Sequence, residues 1–313
     1  MKSIGKYTLS LSPHQPQEVE LLEIEESEQF SEFVEDPGVY DGVLPEGEFS
    51  VIFIDGVRRT ECITYIRDEE SKESFEGAFV SLGAGALKVD HGKLNTVEES
   101  LIVKSIDRLL MLRGRAFIGE VLGFKSYNTE GELSVEVNRY MKERLEASVA
   151  IKVAKNYSPT LIVCDGTLSH RLKNTQCLGF VKSIRRLYMD ISHTPLLYAL
   201  RPGQRSPILR VHYQQKQEEE EKTDKYTWYV KLSPHEGMHG LARIEVFPQK
   251  SLEELKKLAD LSAGLLPMFA SQSFQDRRSP QNLLPIGRLE KLLRSHLGAY
   301  GIIRRNIESF LHA

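Results

Sequence analysis

The sequence predicts an α/β protein: a mixed sheet flanked by helices, with an additional β-rich insertion and a helical C-terminal part. Three observations carry this prediction. Two continuous apolar runs, Val51-Ile52-Phe53-Ile54 and Leu161-Ile162-Val163-Cys164, have the character of strands buried on both faces. Between them Met141, Leu145, Val149 and Val153 form an i, i+4 stripe without Gly or Pro. Both runs stop at the same dipeptide, Asp55-Gly56 and Asp165-Gly166. With 313 residues, 41% of them apolar and 27% charged, the chain can bury a sizeable core and is not a disordered polymer.

Residues 1–48 are acidic and punctuated by Pro37-Gly38, Asp41-Gly42 and Pro45-Glu46-Gly47. They predict an acidic N-terminal arm with little regular structure, ahead of a domain over residues 49–313. The arm's acidic stretch, residues 18–36, is expected to solubilise, to shield a basic channel or to dock a partner. After the first apolar run, Val57–Ile66 and Gly77–Val89 read as further strands of an antiparallel meander. Residues 96–122 show no clear period. The apolar stripe predicts a helix over Val137–Lys155, and Asn156–Pro159 a turn into the second apolar run. Leu178–Val181 is a short strand ending at Lys182. Strands follow at 207–213, 226–232 and 241–247, with Glu218–Glu221 as a solvated loop. Leu252–Leu266 is a helix stopped by Pro267, and another begins at Leu289–Leu297 after Pro285 and Gly287.

A net charge of −3 excludes a histone-like coat for nucleic acid. Local basic surface is still expected from Arg277, Arg278, Arg288, Lys291, Arg294, Arg304 and Arg305. A second basic group comprises Lys182, Arg185, Arg186, Arg201 and Arg205. No segment reaches the roughly 18 apolar residues of a membrane helix, and Met1–Lys6 leads into no apolar secretory core. Cys62, Cys164 and Cys177 are too few and scattered for a disulfide framework or an all-Cys zinc site. A reducing cytoplasm is the expected location.

Two motifs point elsewhere. His235-Glu236-Gly237-Met238-His239 has the spacing of a zinc metalloprotease, which requires a helix to place both imidazoles on one face. Pro234, Gly237 and Gly240 disfavour a helix, so a hairpin loop is expected. Ser81-Leu82-Gly83-Ala84-Gly85-Ala86 is the nearest thing to a phosphate-binding loop, but it lies inside the meander and predicts a strand bend.

The carboxylates carry more. Asp55 and Asp165 each lie at the carboxyl end of an apolar strand, the edge at which open α/β sheets place their ligands. On neighbouring strands they would repel, and a divalent cation such as Mg²⁺ or Mn²⁺ would relieve the repulsion. Glu146 stands on the flank of the helical stripe, within reach of that edge. A strand ending in Asp, a meander, a helix carrying Glu and a second strand ending in Asp is the layout of the ribonuclease H-like fold.

At this point the sequence resembles the NurA nucleases. The resembling segments begin with Phe53-Ile54-Asp55-Gly56-Val57-Arg58-Arg59, Arg144-Leu145-Glu146 and Ile162-Val163-Cys164-Asp165-Gly166-Thr167-Leu168. They continue with Gly179-Phe180-Val181-Lys182 and Ala242-Arg243-Ile244-Glu245-Val246. The last runs from Asp276-Arg277-Arg278-Ser279-Pro280 through Leu284-Pro285-Ile286 to Leu289-Glu290 and Leu292-Leu293-Arg294. The resemblance spans about residues 50–307. It implies a homodimeric, metal-dependent deoxyribonuclease, an exonuclease running 5′ to 3′ or a single-strand endonuclease. Such an enzyme uses Mn²⁺ or Mg²⁺ and processes DNA ends with a hexameric HerA-type ATPase. A catalytically silent DNA-end or ATPase-binding subunit of the same fold is the rival expectation.

By motif match, Asp55, Glu146 and Asp165 would be metal ligands. Archaeal relatives place Tyr-Pro and a following His in the last motif. Here Leu284 precedes Pro285 and the spacing to His296 is longer, so either His296 or Asp276 would complete the set. Two ions about 4 Å apart would serve phosphodiester hydrolysis. Lys182 would orient the nucleophile or offset transition-state charge. Arg58 and Arg59 would hold the adjacent phosphate, and Arg277, Arg278 and Arg288 would track DNA. Tyr300 would stack on a base, and Glu245 is a further candidate.

Overall fold

The computed structural model describes residues 1–11, 29–92, 97–114, 118–184, 187–213, 224–235, 237–249, 251–272 and 280–312. The N-terminal half holds β1 (Lys2–Ile4), β2 (Tyr7–Leu11), β3 (Gln29–Phe33), β4 (Tyr40–Asp41), β5 (Phe49–Asp68), β6 (Ser74–His91), β7 (Val97–Arg113), β8 (Glu120–Val121) and β9 (Phe124–Thr129). A continuous helical run follows: α1 (Leu133–Arg139), a π-helical segment (Tyr140–Glu146) and α2 (Ala147–Asn156). Next come β10 (Leu161–Asp165), β11 (Cys177–Val181), α3 (Pro195–Ala199), β12 (Gln204–Arg205), β13 (Leu209–Tyr213), β14 (Lys225–Lys231) and β15 (Leu241–Val246). Helices α4 (Leu252–Leu265), α5 (Leu284–His296) and α6 (Tyr300–His312) close the chain.

The strands form one mixed sheet whose main path is β3-β13-β14-β15-β11-β10-β5-β6-β7-β9-β8. At its centre β5, β6 and β7 are an antiparallel meander, and β10 runs parallel to both β5 and β11. Parallel neighbours need a long crossover. The helical run between residues 133 and 156 supplies it and delivers β10 beside β5, which is the order expected of a ribonuclease H-like core. Side chains alternate across the sheet. Val51, Phe53, Leu161 and Val163 face α4 and the start of α5. Ile52, Ile54, Ile162 and Cys164 face the helical run through Leu145, Ala147, Val149 and Val153. Covered on both sides, the two apolar runs reach no more than 8% exposure.

Several sequence expectations are corrected. The first apolar run does not end at Asp55-Gly56. It continues as the twenty-residue β5, because β6 pairs with it from Phe49↔His91 to Arg67↔Ser74, with one bulge between Thr60 and Cys62. Two predicted strands are therefore one. Much of residues 96–122, without a visible period, is β7, which is half-exposed for much of its length. The predicted helix starts earlier, at Leu133, and is interrupted by the π segment. Helix α5 starts at Leu284 with Pro285 in its first turn, where the missing N–H is harmless. Helix α6 extends the expected helical C-terminal part and packs Ile307 and Leu311 against the distal half of the β5–β6–β7 meander. The N-terminal segment is more regular than expected: β2 adds to β5, β3 to β13 and β4 to β12. Its acidic residues 18–28, together with Arg185, Arg186, Glu218–Glu221, Glu236, Asp276, Arg277 and Arg278, lie outside the described residues.

Candidate metal centre

Asp55 stands in the middle of β5 and Asp165 closes β10. By the alternation above both point to the α5 side of the sheet. One oxygen each from Asp55, Asp165 and Glu290 lie within 4.8 Å of one another, close to the roughly 4 Å that separates oxygens ligated about 2.1 Å from one ion. Glu290 comes from α5. That helix approaches closely because β6 offers glycine beneath it. A Cβ on Gly85, the register partner of Asp55, would lie 3.0 Å from Leu293 Cδ2, and one on Gly83 would lie 3.3 Å from Leu297 Cδ2. The glycine-rich segment considered for phosphate is thus a straight part of β6 and the seat of α5. Its pairing with β5 runs through Ser81–Ala86 unbroken, while the register with β7 shifts at its end, between Ala86 and Leu87.

Glu146 reaches the same edge from the other face. It ends the π-helical segment, and its carboxylate lies over Gly56, where a Cβ would come within 2.5 Å of Oε1. Any side chain at position 56 would evict it. Single π turns inside α-helices cluster at functional sites because they re-aim side chains. Here the segment turns both Glu146 and Lys142 toward the sheet. Lys142 Nζ donates to Glu146 Oε2 at 2.7 Å and to the backbone carbonyl of Asp165 at 2.5 Å. On the α5 side, Lys182 Nζ donates to Asp165 Oδ2 at 2.8 Å and to Asn282 Oδ1 at 2.9 Å. Asp55 Oδ1 accepts from the Gly56 N–H at 2.7 Å.

These contacts leave one oxygen of each acidic group over. Asp55 Oδ2, Glu146 Oε1 and Asp165 Oδ1 are buried without a hydrogen-bond partner among the described residues. Buried anionic oxygens are costly unless paired or bound to a cation. Burial, then the Asp165 and Glu146 carboxylates, hold the Asp55 acid well above its usual range. Burial likewise raises Glu146, with Lys142 pulling the other way. Hard oxygen donors, excess negative charge and orphaned lone pairs fit a divalent Mg²⁺ or Mn²⁺ ion.

The other predicted residues are placed as follows. Arg58 lies on the Glu146 face, where its charge favours ionised Glu146. Arg59 pairs with buried Glu61 at 2.7 Å, donates to the Leu297 and Gly298 carbonyls at the end of α5, and lies over the Tyr300 ring. Arg288 pairs with Glu99 at 2.5 Å and is otherwise exposed. His296, six residues beyond Glu290 on α5, meets Lys104 Nζ at 3.3 Å. Glu245 is fully enclosed between Lys225 and Arg243 and accepts the Leu168 N–H at 2.7 Å, so it buttresses the turn after Asp165. Arg205, counted with the basic surface, is instead buried. The segment around His235 and His239 is the loop between β14 and β15, not a helix, and so lacks the geometry a zinc protease needs. Lys142, Asn282 and Glu290 were missed as site residues. The only signals were the i, i+4 spacing of Lys142 to Glu146 and the presence of Glu290 in the last motif.

Among the described residues no helix is long and apolar enough to cross a membrane. No curated protein sequence matches the chain. The family profile of the NurA domain matches residues 49–292, most of the chain, and its span takes in Asp55, Glu146, Asp165, Lys182 and Glu290. The chain belongs to the NurA family of nucleases.

Proposed function

We propose that this protein is a metal-dependent deoxyribonuclease that hydrolyses phosphodiester bonds at DNA ends, as a 5′-to-3′ exonuclease or single-strand endonuclease. The observation that supports it most is the convergence of Asp55, Asp165 and Glu290 from three distant elements, with orphaned oxygens beside them. Asp55, Asp165, Glu290 and Glu146 would hold Mn²⁺ or Mg²⁺, with Glu290 in the place sought for His296 or Asp276. Bound there, two ions supply an activated water and charge stabilisation for the leaving oxygen. Lys182 fixes Asp165 through Oδ2, so that Oδ1 would be left to take the metal. Its ammonium adds positive charge where a phosphate would dock. Arg58 and Arg288, the latter by exchanging its Glu99 partner, would receive the neighbouring backbone phosphates. A homodimer acting with a HerA-type ATPase in the cytoplasm follows from the family resemblance and completes this reading.

The test is cleavage of end-labelled single-stranded and duplex DNA with Mn²⁺ or Mg²⁺. Wild type is expected to cut, and Asp55→Ala and Glu290→Gln to lose activity by several orders of magnitude while keeping a wild-type circular dichroism spectrum. Absence of cutting by the wild type with either ion, alone or with the ATPase, would show a silent DNA-end subunit instead.

A further inference from the structure

The acidic edge already contains a cation of its own. Lys142, a half-buried side chain, lies against the Glu146 carboxylate, with those of Asp165 and Asp55 nearby. Its Nζ takes one oxygen of Glu146 at 2.7 Å and the Asp165 carbonyl at 2.5 Å. Gly166, at φ +80°, leaves room beside it, since a Cβ there would stand 3.3 Å from Nζ. Glu146 is correspondingly absent from the set of oxygens within 4.8 Å, which among the described residues comprises Asp55, Asp165 and Glu290. Charge points the same way. Asp55, Glu146, Asp165 and Glu290 carry four formal negative charges, and Lys142, Lys182 and the nearby Arg58 return three. The one negative charge left over is too little to balance two divalent ions.

We propose that Lys142 is a tethered cation in the second metal seat: its ammonium holds Glu146 and limits the chain without DNA to one tightly bound divalent ion. This rests on the metal-centre reading above. Two-ion chemistry then requires the Lys142–Glu146 pair to part when a phosphate, with its negative charge, arrives.

The experiment counts Mn²⁺ bound to the full chain by electron paramagnetic resonance of the free ion, without DNA. The expected result is one tight site per chain in wild type and in Lys142→Arg, and two in Lys142→Gln, where Glu146 is released. Two tight sites of matched affinity in wild type would overturn the proposal, whether or not the Gln variant folds. So would a folded Lys142→Gln chain that still binds one ion. Asp55→Asn separates this from the parent reading. It is expected to lose the tight site, and if it keeps that site, the metal centre itself is misassigned.

Discussion

At the scale of single residues, the site stores electrostatic strain. Asp55 is buried and faces Asp165 and Glu146, which together hold its acid well above the usual carboxylate range. A raised acid contributes stability that is fully present below its unfolded value, near 4, and lost as pH rises through the elevated folded value. Asp55→Asn carries no such loss. In chelator the variant is therefore expected to be more stable than wild type at neutral pH, by about 1–3 kcal/mol, with the gap closing toward pH 4. Thermal melts in EDTA at several pH values check this, and an Asn variant that melts below wild type throughout contradicts it. Added Mn²⁺ should raise the wild-type melting temperature and leave Asp55→Asn unmoved. Asp55 and Asp165 were legible in the sequence because each belongs to an apolar run whose burial and direction are predictable. Lys142 and Glu290 were not, because their roles depend on how closely two helices approach the sheet. That distance is set by residues far from them in sequence.

At the scale of elements, β6 decides the position of α5. The first apolar run stops at Asp55-Gly56 in the sequence, yet the strand goes on: Gly56 is needed to admit Glu146, and Gly83 and Gly85 are needed to admit Leu289, Leu293 and Leu297. Gly85→Ala would place its Cβ 3.0 Å from both Leu293 Cδ2 and the Val103 carbonyl. The backbone oxygen cannot swing aside, so α5 must lift. The expected cost is about 1–3 kcal/mol, accompanied by weaker Mn²⁺ binding as Glu290 withdraws. Chemical denaturation and metal titration of the same sample read both effects, and unchanged metal affinity would show that α5 does not set the cage. Local periodicity reveals the helices themselves, since the stripes of the 133–156 run, α4 and α5 are regular. It does not reveal the π segment, whose extra residue is imposed by packing.

At the scale of the whole molecule, the N-terminal segment is built into the sheet rather than appended to it. Glu35 is paired with Arg205 at 2.6 Å, both almost fully buried, while Asp260 of α4 takes the same guanidinium at 2.7 Å and Tyr40 lies against its face. One cation thus joins the N-terminal segment, β12 and α4. Removing one member leaves buried charge uncompensated, so Arg205→Ala is expected to cost about 3–5 kcal/mol. Cleavage at temperatures well below the new melting point should persist, because the metal ligands are on other elements. A melting temperature within a degree of wild type would refute the clamp. Composition alone placed this segment outside the fold, because short strands that depend on a distant partner leave little local pattern. The three carboxylates whose oxygens converge are likewise scattered in sequence, with Glu290 supplied 125 residues after Asp165. A nascent copy emerging from the ribosome displays Asp55 and Asp165 before α5 is translated, so polypeptides that stop short of α5 lack the carboxylate that completes the cage.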